Sequence, residues 1–372
     1  MIFQIFLLSV ICLLTPEITG AQEHLQLTSD TSTQVHVDAN VPLTGSLATF
    51  GASIFEGVTL AVESGGCAAG SNVNFNWEDN QGLAKEAVTI ARKQLRDSPQ
   101  IYLTAVLPQY LAIRDIVNQK GLPHFVWIFD TDIRPHGENN FRTWVNFKVE
   151  PPLFINYAKK LNPKRIAIVY VQLPSTDEEY LNHLLPELQE SGFKEAKVFG
   201  YPAEQETFQE LASRVKAFNP DLVFISGFPA NLVNMIRTFR SFKIIHDSNT
   251  IGSYDLLDTA PLMSNEEMEG LRVSTPSFLL NTSEASVKSW IDSFQKRFSK
   301  MPLYTHAYAY DMACIIAHAA QTAKTEDISS LGQKLKATDI HGITGRLKFD
   351  ENGDLLPNVE LGVFRNGHPV RE

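Results

Sequence analysis

Arg165-Ile166-Ala167-Ile168-Val169-Tyr170-Val171 reads as a β-strand, and what surrounds it decides the fold. A helical pattern over residues 177–191 follows it, then a strand at 196–200, a helix at 206–218, a strand at 221–226 and a helix at 230–240. A helix at 153–161 precedes it, just after a break at Pro151-Pro152. Upstream of that break the same alternation has already run once. Val35-His36-Val37 and residues 73–77 alternate as strands, and between them Phe50, Ile54, Val58 and Ala61 recur at helical spacing. A helix at 82–96, a strand at 101–106, a helix at 110–118 and a strand at 124–128 complete the first run. Two consecutive runs of this kind predict an α/β protein with two doubly wound parallel-sheet lobes, whose ligand sites lie beyond the carboxyl ends of the strands. After residue 275 come helices at 284–298, 305–323 and 327–336, then strands at 346–349 and 360–364. Asn352-Gly353 lies between those strands and predicts a hairpin turn, since both residues tolerate positive φ.

A chain of 372 residues is too long for one ordinary core, in keeping with two lobes. It is 44% hydrophobic and 20% charged, a globular composition. Its 42 acidic against 32 basic residues give a net charge of −10, so no general attraction draws this surface to nucleic acid or anionic lipid. Residues 1–21 read as a signal peptide: a mostly apolar run from Ile2 to Leu14, a break at Thr15-Pro16-Glu17, and small residues at Thr19-Gly20-Ala21, although no Lys or Arg precedes the run. Thirteen residues are too few to span a bilayer as a helix, and no later stretch reaches eighteen. The expected location is therefore the periplasm. Without that segment two cysteines remain, Cys67 in a Gly-rich turn and Cys314 in an apolar helical run. An oxidising compartment permits them to pair. The expectation favoured here is an exposed Cys67 and a buried Cys314 thiol, because helix-core cysteines usually just pack.

Catalytic signatures are missing. There is no G-x-S-x-G, H-E-x-x-H, C-x-x-C, Walker A or G-x-G-x-x-G, and no two histidines stand at the spacing that shares one metal. His318 reads as a packed or partly exposed side chain. Asp130-Thr131-Asp132 opens like a calcium loop, but Arg134 and Phe141 occupy positions that need oxygens. Asp350, Asn352 and Asp354 open another, with Leu355 where Gly is required. Both are read as turns, and neither a cofactor, a metal nor an enzymatic activity is expected.

Asn40-Val41-Pro42-Leu43-Thr44-Gly45, with Phe50-Gly51 and Gly57, resembles the opening of type I periplasmic binding proteins, the solute receptors of branched-chain amino acid (Leu/Ile/Val) ABC importers. Asp79 before an Ala-rich helix, residues 163–169, residues 224–228, and the closing stretch 345–355 with Gly362-Val363-Phe364 fall in the family's order. The resemblance covers roughly residues 33 to 370. It implies two lobes joined by three crossovers, placed near Val149, Thr275 and Arg346: lobe 1 from 33–149 plus 276–345, lobe 2 from 150–275 plus 346–372. A small-molecule ligand would lie between them, held by loops carrying Thr44, Ser46, Gln109, Tyr110, Phe129, Asp130 and Thr131 on one side and Ser175, Phe228, Ser253 and Tyr254 on the other. The implied partner is the membrane permease of an ABC importer, served by a monomeric receptor. A periplasmic sensor that signals to a membrane protein is the alternative, and an enzyme on the same fold is a third reading, since fold does not fix function.

The departures from the family fall in the site. Where amino acid receptors place Ser and Thr donors for the ligand α-carboxylate, this chain has Leu107-Pro108-Gln109, and where they place Ala-Thr it has Phe129-Asp130. The lobe 2 acid that would meet the α-ammonium aligns near Ser253 and Tyr254, with Asp255 adjacent. The expected ligand is therefore not a standard branched-chain amino acid, and Tyr110, Phe129, Phe228 and Tyr254 are candidates to wall an aromatic or other apolar solute.

Overall fold

The computed structural model describes residues 34–63, 67–68, 70–129, 132–146, 148–246, 248–323, 328–356 and 358–372. The segment read as a signal peptide and two expected site residues, Asp130 and Thr131, lie outside the described residues. The strands are β1 (Val35–Val41), β2 (Val73–Asp79), β3 (Ile101–Ala105), β4 (His124–Trp127), β5 (Asn140–Phe141), β6 (Arg165–Val171), β7 (Glu195–Tyr201), β8 (Leu222–Ser226), β9 (Thr250–Gly252), β10 (Arg272–Pro276), β11 (Asp339–Gly342), β12 (Gly345–Lys348), β13 (Val359–Arg365) and β14 (His368–Arg371). They form a five-stranded sheet in the order β2-β1-β3-β4-β5 and a seven-stranded sheet in the order β14-β13-β10-β9-β8-β6-β7. The first is parallel throughout. The second is parallel except where β13 pairs antiparallel with β10 and β14. Both expected doubly wound sheets are present.

Helices cover both faces of each sheet, so the central strands are apolar on both sides. β1 is buried along almost its whole length. One face of its sheet packs under the helices Ala48–Glu63 and Tyr304–Thr322, the other under Ala84–Gln94 and Leu107–Asn118. The two family-like glycines follow from this packing. A Cβ on Gly51 would strike the Pro42 carbonyl oxygen, and one on Gly57 would strike the His306 carbonyl and lie 2.7 Å from the Ala309 Cβ. Close approach of the helix Ala48–Glu63 to the β1 loop and to the helix Tyr304–Thr322 requires both.

Three expectations change. Asn352-Gly353 turns the chain back into a single antiparallel bridge, Phe349 with Leu355, but does not join the two expected strands as a hairpin: β12 pairs with β11, and β13 with β10 and β14. The dipeptide sits instead in a turn in which the Asp350 Oδ1 accepts from the Asn352 and Asp354 backbone N–H groups. The third crossing, expected near Arg346, comes later. Leu347, Phe349 and Leu355 are buried in the core of the first sheet, and Leu355 N–H bonds the Arg142 carbonyl beside β5, so the chain reaches the second sheet only at β13. Finally, Cys67 and Cys314 are joined, with 5.2 Å between their Cα atoms. The helix packing that buries Cys314 also brings its sulfur to the turn after the helix Ala48–Glu63, which the linear spacing of the two cysteines does not show. Reduction should lower the urea midpoint, by roughly 2 kcal/mol or more in stability given the long loop closed, and leave a Cys67→Ser, Cys314→Ala variant insensitive to reductant.

Candidate functional site

In the first sheet the order β2-β1-β3 makes the connections leaving β1 and β3 turn to opposite faces. In the second sheet the connections leaving β6 and β8 do the same. These switch points open crevices beyond the carboxyl ends of the strands. The loop after β1 is fixed by Asp79, whose Oδ1 accepts from the backbone N–H groups of Leu43, Thr44 and Gln81 and whose Oδ2 accepts from the Thr44 hydroxyl at 2.5 Å. Burial alone would raise the Asp79 pKa, but the hydrogen bonds it accepts, led by that of Thr44, hold it below the ordinary carboxylate value. Thr44 and Ser46 are both exposed.

At the matching point after β3, Val106 has φ 72° and ψ 133°. A β-branched residue in this region is strained by about 1–3 kcal/mol, and such strain concentrates at binding and catalytic loops. Val106 caps the helix Leu107–Asn118, whose first turn buries Gln109 with its side-chain Oε1 unbonded. Tyr110 points elsewhere. It is wholly buried with Ile113 and Val117 on the sheet-facing side, and its hydroxyl accepts from Asn140 Nδ2 at 2.9 Å. It belongs to the core rather than to the crevice wall.

The remaining expected residues divide similarly. Phe129 is half-buried against the first core, Ser175 is half-buried in the turn after β6, and Phe228 is 47% exposed before the helix Pro229–Ser241. The buried Ser253 hydroxyl is taken by Asp255, and Asp255 also accepts from the Ser226 hydroxyl and the Gly227 N–H. Those bonds tie Asp255 to its own sheet.

Tyr254 is the lobe 2 residue that reaches across. Its ring stacks on Tyr304 of the other body at 6.3 Å and 21°. Tyr304 stacks in turn on Trp144 at 5.3 Å and 17°, and Trp144 on Trp127 at 5.1 Å and 26°. Phe50 and Tyr308 meet Trp144 edge-on at 5.4 and 5.9 Å. The result is a continuous aromatic run from β4, through the first crossing, to the β9 loop of the second sheet. Trp144, Tyr304 and Tyr308 were not expected from the sequence. Trp144 stands in an irregular crossing segment, where a large aromatic ring with no strand or helix to pack it is the one available signal.

Beneath Tyr254 lies a cluster of buried acids. Glu150, the first residue of the helix Glu150–Leu161, accepts from the Tyr254 N–H at 3.0 Å, the Tyr180 hydroxyl at 3.2 Å and the Ser274 hydroxyl. It therefore ties the first crossing to β10 and to the aromatic loop. Its carboxyl bonds that of Glu179, which sits in a π-helical stretch from Asp177 to Leu184 and has its Oε1 buried without a partner. Burial, and then the neighbouring carboxylates, push both acids up, Glu150 to about 7 and Glu179 further, so the pair holds a proton at neutral pH. A raised folded-state pKa gives stability that is present below the ordinary carboxylate range and is lost as pH rises through the folded value. The urea midpoint should accordingly fall between about pH 5 and pH 8, by on the order of 2 kcal/mol, and Glu179→Gln should flatten that slope. An unchanged slope in the variant would separate the pair from it.

Among the described residues no group of three or more His, Cys, Asp or Glu side chains could hold a metal ion, and no helix is long and apolar enough to cross a membrane. The family model for periplasmic binding proteins matches residues 34–361. The chain belongs to that family. This binding protein is 22% identical over 334 residues to the leucine-, isoleucine-, valine-, threonine- and alanine-binding protein of Pseudomonas aeruginosa, an alignment covering 87% of each chain. Its fold is similar to that of an ABC transporter substrate-binding protein from Sphaerobacter thermophilus (TM-score 0.79, 19% identity, 91% of this chain and 97% of that one). It is also similar to a solute-binding protein from Rhodopseudomonas palustris in complex with 3,4-dihydroxybenzoic acid (TM-score 0.76, 19% identity, 90% and 95%). These relatives are binding proteins rather than enzymes.

Proposed function

We propose that this binding protein is an exported receptor that captures a small aromatic or otherwise apolar solute between two lobes and delivers it to the permease of an ABC importer. The lobes meet along crossings near residues 149 and 276 and between Leu355 and β13, and close on the ligand. The observation that carries this reading is the aromatic run Trp127-Trp144-Tyr304-Tyr254, whose rings stack on one another where the two bodies touch and would offer their faces to a planar solute once the bodies part. The strand-end loops add polar groups that are buried without partners, the Gln109 Oε1 and the Tyr254 hydroxyl, as a site that orients a ligand by a few hydrogen bonds would have. Loss of the hydroxyl donors at Leu107-Pro108-Gln109 speaks against an ordinary α-amino acid. The dihydroxybenzoic acid complex of the Rhodopseudomonas palustris protein is a precedent for aromatic acids on this fold.

Thermal shift with benzoate, hydroxybenzoates, tyramine, leucine, isoleucine and valine tests the reading. A ligand held only by the native protein adds about 2.7 kcal/mol at a hundredfold excess over its Kd. Aromatic solutes are expected to give the largest upshift and to be recovered unchanged. Strong upshifts with leucine, isoleucine and valine and none with the aromatic compounds would overturn it.

A further inference from the structure

A cavity lined in part by Tyr304 lies at the junction of the two bodies. Its volume is about 730 Å³, within the range of small-molecule sites, and it is enclosed by residues of both bodies: Leu257, Met263 and Phe364 from the second, Leu280, Ile291 and Met301 from the second crossing and the first. The rim is apolar and open to solvent, with Met301 61% and Val370 39% exposed.

Two polar groups break this apolar wall. Trp290 lines it from the helix Ala285–Phe298; the residue is 5% exposed, and its Nε1–H has no hydrogen-bond partner. A buried donor left without a partner is costly, so an acceptor from outside the chain is favoured there. Opposite in sequence and sheet, Asp258 lines it from the helix Asp255–Thr259 and makes no hydrogen bond to the described residues. Burial, together with the neighbouring Asp255, lifts its carboxyl to about 6, so at neutral pH it is a poorly solvated anion without a counterion. Trp290 and Tyr304 line the same space.

We infer that this cavity is a second ligand site, separate from the crevice, for a protonated amine carried on an apolar body, with Asp258 receiving the ammonium. Trp290 offers its N–H to an acceptor on the same molecule. Because the occupant touches both bodies and shares Tyr304 with the aromatic run, its binding is coupled to closure of the crevice.

Phenethylamine is the probe, with phenethyl alcohol and hydrocinnamate as its neutral and anionic counterparts. Calorimetry on the full chain should give saturable binding of the amine, weakened tenfold or more by Asp258→Asn and for phenethyl alcohol, and absent for hydrocinnamate. Val370→Trp, which fills the mouth from an exposed position, should abolish it with the thermal midpoint retained. Trp144→Ala, which cuts the crevice wall, should leave it within about threefold. Binding that survives both Asp258→Asn and Val370→Trp but is lost in Trp144→Ala would place the amine in the crevice and overturn the second site. Absence of saturable binding by the amine to the unaltered protein would overturn it equally, without touching the aromatic-solute reading of the crevice.

Discussion

Asp354→Ala is expected to remove about 3–5 kcal/mol of folding stability, because it strands a buried guanidinium. Arg142 has no exposed side-chain surface and donates from Nε to the Asp354 Oδ1 at 2.6 Å, with the acid itself 8% exposed. Burial raises the Asp354 pKa by more than the guanidinium beside it lowers it, so the pair is held by its surroundings rather than being a source of surplus stability. The same Arg142 donates from Nη1 to the carbonyls of Ile128 and Phe129, where β4 gives way to the crevice loop. Removing the acid thus loosens the end of β4 as well as the core. Urea denaturation should show the loss, and the apolar double variant Arg142→Met, Asp354→Leu should recover part of it, since replacing both groups leaves no buried charge unpaired although the Ile128 and Phe129 carbonyls lose their donor. A single variant within about 1 kcal/mol of the unaltered protein would contradict the account.

Trp144→Ala should weaken binding of whichever panel solute gives the largest thermal upshift by two to three orders of magnitude, about 3–4 kcal/mol. The ring is half-buried, stacked on Trp127 on one side and Tyr304 on the other, so its removal takes away the middle of the wall rather than its edge. Trp144→Phe keeps a planar face and should lose no more than about tenfold. Calorimetry separates the two variants. Equal affinities for the unaltered protein and the alanine variant would put the solute elsewhere.

The fold was legible because its signals are local. β6 coincides with the strand read from residues 165–171, and the helix Ala285–Phe298 differs from its expected span by one residue. What escaped depends on contacts made at long range or by too few residues. β5 has two residues and no pattern to show, and the π-helical stretch from Asp177 to Leu184 has the same composition as an ordinary helix. The positions of the strand-end loops follow from those of the strands, whereas the direction each side chain takes does not. Tyr110 shares a face with Ile113 and Val117 at helical spacing, a pattern that assigns it to the core once the helix is known to begin at Leu107. Asp79 was noted only as part of a family pattern; its hold on Thr44 appears only when β1 and β2 lie side by side. Trp144 and Tyr304 are 160 positions apart and meet only in the folded chain.

The late return of the chain to the first sheet also constrains how the protein can be made. Phe349 and Leu355 finish the first core, and β13 and β14 then finish the edge of the second sheet, so both depend on residues from 349 onward. A nascent chain that has emerged as far as residue 340 has two unsealed cores and exposes the seats of Phe349 and Phe364. Synthesis up to that point therefore completes neither half, and apolar surface stays open to chaperones until residues 349–364 have emerged.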